Sequence, residues 1–134
     1  MDIREFAGKL NMDILTVEKG FDEGKVPDRR KGKPDEIAVV SKEIVNREIT
    51  GIYVCDLLSW VMSHANKGDA WITVQTHLNT IAVAVLLEIP CIIVPEGIKV
   101  EEATIKKAIE EGITILSSKM SAYEICWRAY EILR

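Results

Sequence analysis

The run Gln75-Thr76-His77-Leu78-Asn79 places amide, hydroxyl and imidazole side chains between a β-branched apolar stretch and an apolar helical one. A polar turn there meets the unpaired N–H groups of a helix start, an environment that suits an anion. His77, with a reference pKa of about 6.5, is a candidate proton carrier or switch, a donor that orients a ligand, or a hydrogen-bonding residue of the helix start. Three more turns occupy equivalent places after apolar runs: Tyr53 to Asp56, Pro95-Glu96-Gly97 and Ser117-Ser118-Lys119. Each also has a purely local role open to it. Thr76, Asn79 and Asp56 are residue types that cap helices, and Ser117-Ser118-Lys119 can serve simply as the turn before the last helix. Taken together, Tyr53, Asp56, Gln75, Thr76, His77, Asn79, Glu96, Ser117 and Ser118 are the expected lining of a small ligand pocket.

No Ser or Cys nucleophile accompanies His77, so no residue is assigned to catalysis. The phosphate loop Gly-x-x-x-x-Gly-Lys-Ser/Thr, Gly-x-Gly-x-x-Gly, Gly-x-Ser-x-Gly and His-Glu-x-x-His are all missing, which disfavours the familiar NTPases, dinucleotide oxidoreductases, serine hydrolases and zinc proteases. Cys55, Cys91 and Cys126 lie far apart in apolar segments and are expected to be buried thiols. His64 and His77 have no cysteine pair beside them, so neither a metal site nor a cofactor is expected.

These turns need a scaffold, and the second half of the chain supplies one. Trp71-Ile72-Thr73-Val74, Cys91-Ile92-Ile93-Val94 and Ile113-Thr114-Ile115-Leu116 are short β-branched runs, each followed by helical periodicity. They predict strands of a parallel sheet, and Ile49 to Val54 adds a fourth. Asp56 is the expected N-cap of the helix that carries Leu57, Trp60, Val61 and His64. Leu78, Ile81, Ala82, Val85 and Ile89 form the expected inner face of a heavily buried helix. A helix with Glu101 and Glu102 in its first turn presents Ile105 and Ile109 and stops at Gly112. The last helix opens on a capping box of Ser121 and Glu124 and buries Ala122, Ile125, Cys126, Ala129 and Leu133. Ile3, Phe6, Ala7 and Leu10 predict an N-terminal helix, with Ile14-Leu15-Thr16-Val17 a short strand behind it. In such a sheet ligands bind beyond the carboxyl ends of the strands, where all four turns fall.

Residues 19–36 differ in kind, with six basic residues set against five acidic ones and few apolar side chains. They are expected to form a mobile loop insertion, a solvated one or an arm whose Arg29, Arg30, Lys31 and Lys33 grip an acidic partner or a phosphate. Ile37-Ala38-Val39-Val40 fits an edge strand or a short helix, and periodicity does not choose between them.

The 134 residues and 15.0 kDa correspond to one domain, 1–134. A net charge of −4 disfavours broad adhesion to nucleic acid or to anionic lipid. The longest apolar run is far too short to span a bilayer, and acids stand at the N-terminus where a signal peptide would be basic. A cytoplasmic location without membrane contact is expected. Small size with 48% hydrophobic residues also favours a homodimer.

Three segments together resemble the DRTGG domain family: residues 46–59 (Asn-Arg-Glu-Ile-Thr-Gly-Ile-Tyr-Val-Cys-Asp-Leu-Leu-Ser), 69–77 (Asp-Ala-Trp-Ile-Thr-Val-Gln-Thr-His) and 113–118 (Ile-Thr-Ile-Leu-Ser-Ser). The likeness extends over about residues 46–133. Arg47, Thr50 and Gly51 are the nearest echo of the family's five-letter label, and Gln75-Thr76-His77 stands where many fused members have a Gly-rich turn. The resemblance implies an α/β three-layer sandwich with a mainly parallel sheet, like the N-terminal domain of HPr kinase/phosphorylase but with no kinase domain. Members are fused to CBS modules and to enzymes, which implies a regulatory module rather than a catalyst. The expectation is therefore a non-catalytic sensor of a small anionic metabolite or nucleotide at the strand carboxyl edge. The alternatives are a protein-interaction domain that uses the basic loop and, less favoured, an enzyme built on His77 and Asp56.

Overall fold

The computed structural model describes residues 1–17 and 47–134. In chain order its elements are α1 (Ile3–Lys9), β1 (Asp13–Ile14), β2 (Gly51–Val54), α2 (Leu58–His64), β3 (Asp69–Ile72), α3 (Leu78–Leu86), β4 (Cys91–Val94), α4 (Glu102–Glu111), β5 (Thr114–Ser117) and α5 (Ala122–Leu133). The strands lie in the order β1-β5-β4-β3-β2, parallel from β2 to β5, with β1 antiparallel on β5. This is the expected α/β architecture.

Strand periodicity sorts the core into two layers. Ala70, Ile72, Cys91, Ile93 and Leu116 point to one face of the sheet, where Ile3 and Phe6 of α1 and Ile125 and Ala129 of α5 cover them. Trp71, Ile92, Val94 and Ile115 point to the other, beneath Val61 of α2, Ile81 and Ala84 of α3 and Ala108 of α4. Every residue of β3 and β4 is buried, as strands covered on both sides must be. The three successive crossovers put their helices on the same face, so each adds its strand on the same side of the last. After β5 the chain changes sides, and α5 joins α1.

Local signals explain most boundaries. Asp2 caps α1 by accepting from Glu5 N at 2.7 Å, Ser121 caps α5 by accepting from Glu124 N at 3.2 Å, and Gly112 ends α4 at φ 73°. The Glu124 carboxylate is taken up by Arg128 at 2.8 Å instead of completing a box. The echo of the family label is structural: Arg47 Nη1 donates to the Gly112 carbonyl at 3.1 Å, and a Cβ on Gly51 would lie 2.6 Å from the buried Asp69 carboxylate.

Several expectations shift. Strand β3 ends at Ile72 and leaves Val74 exposed, and the N-terminal strand is Asp13–Ile14, not Ile14 to Val17. Helix α3 buries Thr80, Ile81, Val83 and Ala84 and exposes Leu78, Ala82 and Val85, because a helix that is apolar all round carries no polar stripe to orient it. Leu57 and Trp60 are likewise exposed beside the buried Val61. On α4 the buried residues are Thr104 and Ala108, with Ile105 and Ile109 only half-buried. Of the cysteines only Cys91 is fully buried; its burial pushes the thiol up to about 12 despite the nearby Arg47 charge, whereas Cys55 and Cys126 are half-buried. No helix among the described residues is long and apolar enough to cross a membrane.

Candidate functional site

All nine expected site residues lie toward the carboxyl edge of the parallel strands, but they divide into two groups. The first forms around the ends of β2 and β3. Asp56 does not cap α2, whose first flanking residue is Leu57 and has no side-chain cap. Its Oδ1 instead accepts from Thr73 Oγ1 and from Val74 N, both at 2.9 Å, so the carboxylate ties the loop after β2 to the loop after β3. Gln75 Nε2 donates back to the Asp56 carbonyl at 3.2 Å. The Thr76 carbonyl accepts from Thr104 Oγ1 at 2.8 Å, which joins this loop to α4. His77 is the N-cap of α3, its Nδ1 accepting from Asn79 N at 3.2 Å. Below them the Trp71 indole N–H donates to the Cys55 carbonyl at 2.8 Å, and Tyr53 packs against the same core layer. Asp56 Oδ1, Gln75 Nε2 and His77 Nδ1 are thus engaged within these loops, and the space that Gln75 and Thr76 share with Thr80 and Thr104 measures about 10 Å³.

The second group lies where β4 and β5 end. Helix α4 leaves β4 toward one face and α5 leaves β5 toward the other, so the two connections part and open a crevice between adjacent strand ends. The loops that diverge there are stitched together by Glu96 N donating to the Met120 carbonyl at 2.9 Å and Gly97 N donating to the Ser118 carbonyl at 2.8 Å. Glu96 and Gly97 both have positive φ, 60° and 65°, the pattern of a type I′ turn. For Glu96 that conformation costs of order 1 kcal/mol, a local strain held at the rim.

A cleft of about 650 Å³ opens here, walled by Gly97, Ser117, Ser118, Lys119, Arg128 and the turn from Lys9 to Asp13, among others. That size suits a ligand of nucleotide dimensions. Asp13 reaches the edge because β1 runs antiparallel and pairs it with Ser117. Three cations, Lys9, Lys119 and Arg128, face two carboxylates, Asp13 and Glu124. Lys9 is paired with Glu5 at 3.2 Å and Arg128 with Glu124, whereas among the described residues Lys119 has no partner. The buried Ser118 accepts from Met120 N at 3.1 Å, which shapes the turn into α5.

The structure thus brings Ser117, Ser118 and the Glu96 turn together at the cleft and sets Tyr53, Asp56, Gln75, Thr76, His77 and Asn79 apart from it. Arg29, Arg30, Lys31 and Lys33 lie outside the described residues. Sequence reasoning missed Lys9, Asn11, Asp13 and Arg128, since only the two-residue antiparallel strand β1 brings the N-terminal turn to β5. The one signal available was Arg128, seven residues after the capping Ser121 and so two turns up the same helix. Among the described residues no three His, Cys, Asp or Glu side chains gather as a metal ion would require.

Comparison with protein-family models yields no match, and comparison with curated protein sequences yields none. Among solved structures the chain is similar to the CBS and DRTGG domains of the regulatory region of a Clostridium perfringens pyrophosphatase, complexed with its activator diadenosine tetraphosphate. The TM-score is 0.57 at 15% sequence identity, over 92% of this chain and 44% of that one. The chain therefore spans less than half of that neighbour's length, and at this identity what the two share is the fold.

Proposed function

We propose that this chain is a regulatory module of DRTGG type, without catalysis, that binds a small anionic metabolite or nucleotide in the cleft at the ends of β4 and β5. The observation that carries the reading is the cleft itself: about 650 Å³ where α4 and α5 diverge, with Lys119, which has no partner among the described residues, and the Arg128 guanidinium in its wall. An anionic group there meets the start of α5 and two cations together. The neighbour of the same fold belongs to a regulatory region and was solved with a nucleotide activator, which supports the class of ligand. The Asp56, Thr73 and Gln75 network serves as scaffold in this reading, and His77 as a helix cap.

A thermal-shift comparison of ATP, ADP, AMP, diadenosine tetraphosphate and acetyl phosphate tests this, because a ligand that binds the folded chain stabilises it by mass action. At about 100 times its dissociation constant, a binder is expected to raise the midpoint by about 4 °C or more. Lys119→Ala with Arg128→Ala abolishes the rise. If none of these compounds shifts the midpoint, or if the shift survives the double substitution, the proposal fails.

A further inference from the structure

The charged side chains that line the cleft at the ends of β4 and β5 differ in whether they are already paired. Lys9 is tied to Glu5 at 3.2 Å, and Arg128 to Glu124 through Nη2 at 2.8 Å and Nε at 3.0 Å. Two groups stay uncommitted among the described residues, and they carry opposite signs: Lys119 and Asp13. Asp13 stands opposite Ser117 on the antiparallel strand β1, and Lys119 follows Ser117 by two residues. Paired Cα atoms of such strands lie within about 5.5 Å and each further residue adds at most about 3.8 Å, so both groups fall within reach of one small ligand. The backbone around Asp13 is fixed on either side, Met12 N donating to the Ala7 carbonyl and Leu15 N to the Ile115 carbonyl, both at 2.9 Å. Its carboxylate is therefore presented from a set position.

An anionic group alone accounts for Lys119 and not for Asp13. An ionised carboxylate only accepts hydrogen bonds, and it repels a phosphate placed beside it. What Asp13 can hold is a hydrogen-bond donor on the same ligand, set away from the phosphate. An amine or a pair of hydroxyls would serve, and the cleft, at about 650 Å³ with Leu10 and Met120 as apolar surface for a base, has nucleotide dimensions. We infer that the ligand is a ribonucleoside phosphate, its phosphates at Lys119 and Arg128 and its ribose hydroxyls donating to Asp13. This rests on the cleft being the ligand site proposed above, and adds the class of ligand and the residue that selects it. A carboxylate accepting from ribose hydroxyls is the device by which dinucleotide-binding folds recognise their sugar. Inorganic and acyl phosphates lack the donors and would leave the Asp13 charge unpaired against an anion.

Calorimetric titration of the full chain with ATP and with its 2′,3′-dideoxy analogue tests the assignment, in EDTA so that no divalent cation bridges nucleotide and protein. Wild type is expected to bind ATP about tenfold more tightly than the analogue, the worth of a hydrogen bond to a charged group. Asp13→Ala should remove the preference by bringing ATP down to the level of the analogue, without weakening the analogue itself. Asp13→Asn, which keeps an acceptor but not the charge, should fall between. Lys119→Ala should weaken both nucleotides alike and keep the preference. Both positions are exposed, so circular dichroism like that of the wild type is expected for each variant. Equal binding of ATP and its analogue by wild type, or an Asp13→Ala variant that weakens both alike, overturns this inference and leaves the cleft as the ligand site. If neither nucleotide binds wild type, the two fall together.

Discussion

The two halves of the sheet's carboxyl edge have similar chemistry in sequence and opposite character in the fold. Around β2 and β3, Asp56, Thr73, Gln75 and His77 bond to each other and to backbone, and the space that Gln75 and Thr76 share with Thr80 and Thr104 measures about 10 Å³. Around β4 and β5, the loops diverge to opposite faces, a cleft of about 650 Å³ opens and Lys119 has no partner among the described residues. The difference arises from topology. The helices after β2, β3 and β4 run to one face, so successive loops pack against each other and consume their polar atoms. Between β4 and β5 consecutive connections part, and there polar groups line an open cleft.

The comparison is broken most severely by removing the tie that closes the first half. Asp56→Ala leaves the buried Thr73 hydroxyl and the Val74 N–H without their acceptor, and is expected to cost about 1 to 3 kcal/mol, read as a lower urea midpoint at unchanged slope. Nucleotide-induced stabilisation should be unaffected. If it disappears, the two halves act as one site.

The scaffold common to both halves can be probed through pH. Cys91 lies at the start of β4, away from the edge, with its thiol raised from 9.0 to about 12. Because the folded value is the higher, the contribution is complete below the unfolded pKa and is lost as pH rises from about 9 toward 12. Wild type should lose about 1.4 kcal/mol per pH unit across that window relative to Cys91→Ala. Parallel pH profiles of the two proteins would show that Cys91 does not stay protonated in the fold.

The smallest effect is expected at His77, whose ring accepts one exposed backbone hydrogen bond. His77→Ala should lower stability by about 0.5 kcal/mol and leave ligand-induced stabilisation intact. A loss of that stabilisation with folding unchanged would move the binding site to the β3 end.

How much was legible follows the range of the interactions. The βα repeat is visible because runs such as Cys91-Ile92-Ile93-Val94 are made of residues that suit a doubly covered strand, and Ser121 and Gly112 mark helix ends through bonds to near neighbours. Asp56 misleads for the opposite reason. Its residue type and position suit a cap, but its partners are Thr73 and Val74, a contact that appears only when β2 and β3 are side by side. The inner face of α3 is not legible, since Leu78–Leu86 has apolar residues all round. The cleft was half legible. Ser117, Ser118 and Glu96 follow from the strand-end rule, whereas Lys9 and Asp13 need the return of the N-terminal turn onto β5.

The most direct test of the account is residue-resolved mapping of the whole chain. In a 15N-labelled sample titrated with ATP and with diadenosine tetraphosphate, amide shifts should move at Gly97, Ser117, Ser118, Lys119 and Arg128, while those of Gln75, Thr76, His77 and Asn79 stay in place. Saturable shifts centred on Gln75 to Asn79, or none anywhere up to millimolar ligand, would contradict it.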